Sequence, residues 1–599
     1  MKKRSEIPAC DRWQIDRMYP GIPEWERDLT DAKKEIQSIQ KFRGRLKEGS
    51  SIVQKLFDEK YRIERKLNTI YVYAHLRHDE NTEDAVCKGM VDRGLFLYEE
   101  YGRLSSFITP ELKALDSERL KSYLESRTLA EYRFCLEEIV RYKPHILGSS
   151  EEELLALLGP AFRVASQTFD VLHDGDMKFP DLEMPDGTKK EVSHGLYHVH
   201  LTSLNREVRK RAYQSYLGQF EKLKLTYASL LQGCVLNHSA LAKARNFSSS
   251  LKSSLFSDNI PQEVYSNLIR SVRNHIEINH QYFDLKKKFL NLDDIHVYDT
   301  HVPLTNNYQK TFEFDEAVEC IADALRPLGD EYVKEMRAGI RRRWVDKYES
   351  LNKRSGAYSS GCYDSDPYIL MNWDGTIRSV FTLAHELGHS MHKLYSTRHQ
   401  PPQYAQYSIF IAEIASTVNE QLLAHWFMKH ADQHEEKIYL LSQQMDDLRA
   451  TLVRQTMFAE FEQFIHEAVE KGRPLDVEFL KNSYEQLNKD YFGPRVVLDQ
   501  EIRMEWARIP HFYYNFYVYK YATGISAAID ISGRLIKDDT SSCEAYIRML
   551  GLGASQHSLD ILLAVGVDLL SPAPIECAMT HFQGLIHKLQ ELYQPLSTS

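Results

Sequence analysis

The stretch Val380–Tyr395 reads V-F-T-L-A-H-E-L-G-H-S-M-H-K-L-Y. Val380, Ala384, Leu387, Met391 and Leu394 recur at three- and four-residue steps, the period of a helix with one buried face. On such a helix His385 and His389 stand one turn apart on the same face. Buried imidazoles need polar partners, and an apolar helix offers none. A single Zn²⁺ satisfies both rings at once. Glu386, beside the first histidine, is placed to take a proton from a metal-bound water. The segment is therefore read as a catalytic centre, with His385 and His389 as metal ligands and Glu386 as general base. His392 lies near the same face and is read as a packing or supporting residue, with direct ligation as the alternative.

A catalytic zinc takes three protein ligands and keeps one position open for water. Glu413 is the expected third ligand. It falls in the apolar run F-I-A-E-I-A-S-T, where a buried charge is costly unless it is paired or metal-bound. Glu420, farther along the same helix face, is expected to accept the free N–H of a ligating histidine and so fix its tautomer. One more constellation stands apart, I-P-H-F-Y-Y-N-F-Y-V-Y-K-Y-A-T-G at residues 509–524. Read as a helix, it puts Tyr514, Tyr517 and Tyr521 on one face. Two readings are open there: hydroxyl donors to a developing oxyanion, or an aromatic packing stripe.

At 599 residues the chain can bury a large core and divide into two to four lobes. Its 43% hydrophobic and 27% charged residues are those of an ordinary globular protein. A net charge of −10, with no Lys/Arg-rich run, argues against a nucleic-acid partner. No run of about 18 apolar residues is present, so no membrane span is expected. The opening M-K-K-R-S-E-I-P-A-C lacks the apolar core of a signal peptide. Eight scattered cysteines without a C-x-x-C suit reduced thiols, and the cytoplasm is the expected compartment.

Along the chain, residues 1–115 read as helical, with amphipathic runs from Trp25 to Leu46 and from Ile52 to Leu76. Ser150 and Glu153 suggest a capping box opening a helix over 151–158. Asp174-Gly175 and Asp186-Gly187 are turn signals, and Lys189 to His200 reads as a strand-like ribbon. His194, His198 and His200 within it are read as surface residues, with 198 and 200 on one face. Helix resumes near Asn205, and Pro261 marks the start of another helix with Val264, Leu268 and Val272 buried. Residues 293–314 read as an extended connector and Ser355 to Gly361 as a small-residue loop. Pro367 to Trp373 reads as a strand before the metal helix, suited to pairing with an extended peptide at a sheet edge or simply to covering the helix.

A-H-E-L-G-H-S-M-H, A-E-I-A-S-T-V-N-E and I-P-H-F-Y-Y-N-F-Y-V-Y-K-Y-A-T-G, in that order, resemble oligoendopeptidase F of the thimet-type zinc oligopeptidases. P-Y-I-L-M-N-W, D-G-D-M-K-F-P, Trp13 and Trp25 extend the resemblance over most of the chain. The resemblance implies a mainly α fold: a helical clamshell of two lobes around a deep channel, with a small β-sheet beside the zinc helix. It implies one Zn²⁺ per chain on His385, His389 and Glu413, with Glu386 as base. His511 would bind substrate, and Tyr514 and Tyr521 would contact oxyanion and substrate, with Tyr517 in reserve. The expected division is 1–115, 116–203 and a catalytic region 204–599. The implied activity is cleavage of internal bonds in short oligopeptides, folded proteins being excluded. The rivals are a dipeptidyl carboxypeptidase on the same scaffold and a non-catalytic peptide-binding protein.

Overall fold

Most of the chain is helical, and apolar residues at helical spacing explain why. A computed structural model describes residues 1–593 except 185, 306, 307, 309, 538 and 539. The chain forms two compact units, each assembled from three separate stretches. The first unit comprises Met1–Pro144, Gln309–Trp426 and Ile531–Gly566, and the second His145–Tyr308, Phe427–Asp530 and Val567–Ser599.

In the first unit the run from Ile52 to Leu76 lies inside one long helix, Ser50–Glu80, whose Leu56, Ile63, Leu67 and Ile70 are buried. It packs along the helix Ala85–Ser105, which starts where the Asp84 carboxylate accepts the N–H groups of Val86 and Cys87. The other expected run is broken: an α-helix Ile22–Glu35 tightens into a 3-10 helix Ile36–Phe42. Trp25 is fully buried in this core, and its indole N–H donates to the Ile70 carbonyl at 2.8 Å.

The described strands are short: β1 Leu182–Glu183, β2 Lys189–Lys190, β3 Ile295–His296, β4 Val345–Asp346, β5 Tyr358–Ser360, β6 Tyr368–Leu370 and β7 Val496–Val497. β4, β6 and β5 make the largest sheet, in that order, with β4 parallel and β5 antiparallel to β6. This corrects the expectation for Pro367 to Trp373. β6 is the middle strand, paired on both sides and buried at every residue, so it has no edge to offer. The edges belong to β4 and β5, the latter in the segment read as a loop. Both strands pack on the helix Ile377–His399.

In the second unit β1 and β2 form the hairpin expected at Asp186-Gly187, with Gly187 at φ 82°. Asp174-Gly175 is not a hairpin turn; it lies in a π-helical turn, Val171–Asp176. The ribbon ends at Lys190, and His194–Leu201 is a helix capped by the Ser193 hydroxyl. His198 is exposed as read, but His200 is buried and its Nε2 donates to the Glu191 carbonyl at 3.0 Å. A helical step of two residues turns 198 and 200 to different sides, which corrects the shared strand face.

The helix expected over 151–158 runs over Ser149–Phe162, and its reciprocal cap lies upstream, where the Gly148 N–H donates to Glu151 at 2.8 Å. Arg206–Lys222 is capped by Asn205. Pro261 is the N-cap of Gln262–Asn274, and Val264, Leu268 and Val272 are fully buried. The stretch 293–314 is less extended than read: β3 pairs in parallel with β7, Val297–Asp299 is a 3-10 turn and Phe314 already begins a helix.

Candidate metal centre and aromatic cluster

The helix Ile377–His399 begins in a dense cap. The Asp374 carboxylate accepts the Thr376 N–H, the Thr376 hydroxyl and the Ser379 hydroxyl at 2.9, 2.7 and 2.6 Å. Gly375 precedes the cap with φ 78°, a left-handed position that suits glycine. From there Val380, Leu383, Ala384, Leu387 and Met391 fill the core, leaving His385 and His389 on another face.

Glycine then sets the crossing with the helix Ile409–His430. A Cβ on Gly388 would lie 2.6 Å from Ser416 Cα and 2.8 Å from the Ala415 carbonyl, so the backbones touch. Asn419 fastens the same crossing by donating to the Ala384 carbonyl at 3.0 Å. Glu413, one turn before Ser416, is thereby brought to the histidines. His385 Nε2 and His389 Nε2 are 3.2 Å apart, and Glu413 Oε2 lies 3.4 and 3.5 Å from them. Glu420 Oε1 lies 3.3 Å from His385 Nδ1. A carboxylate only accepts, so Glu420 holds a proton on His385 Nδ1, and Nε2, which faces His389 and Glu413, is the atom whose proton a metal would replace.

The electrostatics favour positive charge beside Glu413 and Glu420. Burial disfavours a charged His385, but Glu413 and Glu420 outweigh it and push its pKa up to about 10. His385 and then His389 hold Glu413 far below the usual carboxylate range, against its partial burial. The two nitrogens and one oxygen are a donor set that suits Zn²⁺. The expectation that Glu413 is buried fails, because its side chain is 50% exposed. Its convergence on two imidazoles, not desolvation, is what singles it out. Glu386 is the buried carboxylate here, 7% exposed. Burial raises its pKa, His385 and His389 lower it, and the Ser359 backbone of β5 hydrogen-bonds to it. His392 lies outside the cluster: it is fully buried, stacked on Tyr407 at 3.6 Å, with neither ring nitrogen paired.

A second set of metal-type side chains, His173, Asp174 and His194, lies in the other unit. Its geometry is closed. His194 Nε2 is 2.8 Å from the His173 carbonyl and must donate; Nδ1 is 2.7 Å from the Tyr216 hydroxyl and must accept. No lone pair of His194 is left for a metal. His194, read as a surface residue, is half-buried and spent on these two bonds.

The tyrosines of 509–524 do not lie on one continuous helix, as read. Pro510–Tyr513 is a 3-10 turn, Asn515 and Phe516 are left-handed at φ 50° and 59°, and a helix begins only at Tyr519. The residues nonetheless gather. The His511 ring is 5.7, 6.2 and 5.8 Å from those of Tyr514, Tyr517 and Tyr521, and the Tyr521 hydroxyl is 3.4 Å from His511 Nε2. Tyr514 is 52% exposed, which a packing stripe would not be.

The sequence reading missed three residues that build these sites: Gly388, Ser359 and Glu462, the last a fully buried carboxylate whose Oε1 accepts the Phe516 N–H at 2.5 Å. Glu462 was detectable as an acid on the apolar stripe Phe458, Phe461, Ile465, Val469.

Comparison with known proteins identifies relatives of the whole chain. A sequence profile described as Peptidase family M3 matches residues 199–581, and one described as Oligopeptidase F matches residues 111–179. Oligopeptidase PepF of Bacillus subtilis (strain 168) is 38% identical over 597 residues, covering 100% of this chain and 89% of the relative. A crystal structure from Chlamydophila abortus is 39% identical with a TM-score of 0.95, covering 99% of this chain and 100% of that one. The structure of oligoendopeptidase-F from Enterococcus faecium is 32% identical with a TM-score of 0.74, covering 95% and 99%. With the profile spanning most of the chain and enclosing every site residue named above outside the second cluster's His173, Asp174 and His194, the chain belongs to peptidase family M3, among the oligoendopeptidases F.

Proposed function

We propose that this peptidase is a zinc endopeptidase cutting internal bonds of short oligopeptides, with one Zn²⁺ on His385, His389 and Glu413. The convergence of three lone-pair atoms, with Glu420 fixing the His385 tautomer, is the observation that carries this reading. Zinc bound there supplies Lewis acidity, lowering the pKa of a water toward ~7 and polarising a carbonyl. Glu386 accepts the attacking water's proton and returns it to the leaving amine. β5 offers its strand edge to an extended substrate, with the Ser359 backbone already facing Glu386. His511 binds substrate and the hydroxyls of Tyr514 and Tyr521 donate to the developing oxyanion, Tyr517 being in reserve. The close grouping of the four rings supports a shared role. All eight cysteines are free thiols, which supports a reducing compartment such as the cytoplasm.

The test is cleavage of a quenched nonapeptide by wild type and Glu386→Gln, with metal measured on both. Equal zinc in the two, internal cleavage by wild type and a loss of at least about a thousand-fold in the variant are expected. Zinc without any cleavage across a peptide library overturns the reading. A carboxy-amidated peptide cut as readily as the free acid excludes the carboxypeptidase alternative.

A further inference from the structure

The aromatic cluster depends on a turn that bulky residues avoid. Asn515 and Phe516 are consecutive left-handed residues, at φ 50° and 59°. Asparagine tolerates this conformation, whereas phenylalanine is an outlier there and persists only where its surroundings impose it. Tyr514 and Tyr517 are the residues on either side.

Two groups from other segments of the same unit pin the turn. The Ser254 hydroxyl donates to the Asn515 carbonyl at 2.6 Å. Glu462, in the helix Arg454–Glu470, accepts the Phe516 N–H at 2.5 Å from a wholly buried position. One turn on, the His466 ring lies 4.4 Å from the Phe516 ring. Hydrogen-bond roles fix the layer behind. His466 Nδ1 donates to the Glu462 carbonyl at 2.8 Å, leaving Nε2 to accept from His238 Nδ1 at 3.1 Å. His238 Nε2 then faces Cys234 Sγ at 3.5 Å.

Burial holds this layer neutral, pushing His238 down to about 4, His466 down to about 3 and Cys234 up to about 12. It also pushes Glu462 up to about 8. Nothing in this layer pairs with Glu462 as a cation would, and its Oε2 meets no partner. A buried carboxyl costs stability unless it has work for its oxygens. Among the described residues, the one hydrogen bond its carboxyl makes is to the turn.

We infer that Glu462 is a positioning residue: its carboxyl clamps the Asn515–Phe516 turn and thereby sets where Tyr514 and Tyr517 hold their rings beside His511. This rests on the reading that these tyrosines serve peptide cleavage.

Glu462→Gln keeps an acceptor at the same reach, and Glu462→Met keeps the volume without one. On the quenched nonapeptide, Glu462→Met is expected to lower kcat about 10–100-fold with KM nearly unchanged, less than the ~100–1000-fold of losing an oxyanion donor outright, because the donor is displaced and not removed. Glu462→Gln should stay within about threefold of wild type. Tyr514→Phe should lower kcat in the wild-type background and change it less than about twofold in the Glu462→Met background, since coupled residues are not additive. Amide exchange over 512–518 should accelerate in Glu462→Met and not in Glu462→Gln, with 377–399 unaffected. Should Glu462→Met not fold, Glu462→Asp withdraws the acceptor by one methylene and is expected to lower kcat in the same way. Wild-type kcat in the variant lacking the acceptor, or an equal Tyr514→Phe loss in both backgrounds, overturns the inference. Absence of cleavage by wild type overturns the peptidase reading instead; the exchange measurement then still decides whether Glu462 holds the turn.

Discussion

Two clusters of the same residue types lie in the two units, and they are built to opposite ends. His385, His389 and Glu413 leave lone pairs converging, because Glu420 takes the N–H of His385. His173, Asp174 and His194 also bring ligand-type atoms within 4.8 Å of one another, yet His194 has one nitrogen donating to a backbone carbonyl and the other accepting from Tyr216. Proximity of ligand-type side chains is therefore a poor guide to a metal site. The position of the protons decides, and second-layer partners set it.

The comparison breaks most sharply on metal content. His389→Ala should abolish stoichiometric zinc and lower cleavage by at least about three orders of magnitude, as loss of a member of a catalytic unit does. His194→Phe should leave both untouched. Two zinc ions per wild-type chain, one of them lost in His194→Phe, would erase the distinction between the two clusters.

The supporting carboxylate sharpens it further. Glu420→Ala should weaken zinc affinity about 10–100-fold, measured by chelator competition. Tyr216→Phe, which removes the corresponding partner of His194, should not move it. Equal effects would mean that tautomer control is not the difference.

Next is the helix crossing. Gly388→Ala drives a Cβ into the Ser416 and Ala415 backbone. Overpacking of this kind costs about 1–3 kcal/mol. A lower Tm accompanied by weaker zinc retention is expected, because the crossing carries Glu413 to the histidines. A lower Tm with zinc fully retained would show that the cluster tolerates separation of the helices.

The smallest effect is on acid stability. Burial pushes the His173 pKa down to about 4, with His194 adding to the shift. Its unfolded pKa of about 6.5 is higher, so the unfolded chain binds more protons between these values and stability falls as pH drops from about 6.5 to about 4. His173→Phe removes that proton uptake. The Tm of the variant should rise relative to wild type across this window and hold a constant offset above it. A constant difference at every pH contradicts a buried neutral His173.

The local elements were legible in the sequence wherever one periodicity governed them. The metal helix, the helix carrying Glu413, the long helix Ser50–Glu80 and the start at Pro261 all follow from apolar spacing and caps. Errors fell where a residue pattern fits two structures. Lys189 to His200 has strand-like composition but becomes helix after Ser193, whose hydroxyl supplies the cap. The aromatic run has helical spacing but is interrupted by two left-handed residues held from outside the segment.

The shared face of His385 and His389 was determined by the sequence alone, since a four-residue step on a helix fixes one face whatever surrounds it. Only the tertiary structure decided that Glu413 meets them through the Gly388 crossing, that β6 is a middle strand with β5 at one edge of the sheet, and that a buried Glu462 clamps the tyrosine turn. Each of these depends on contacts between residues far apart in the chain, and local periodicity carries no information about which faces will be pressed together.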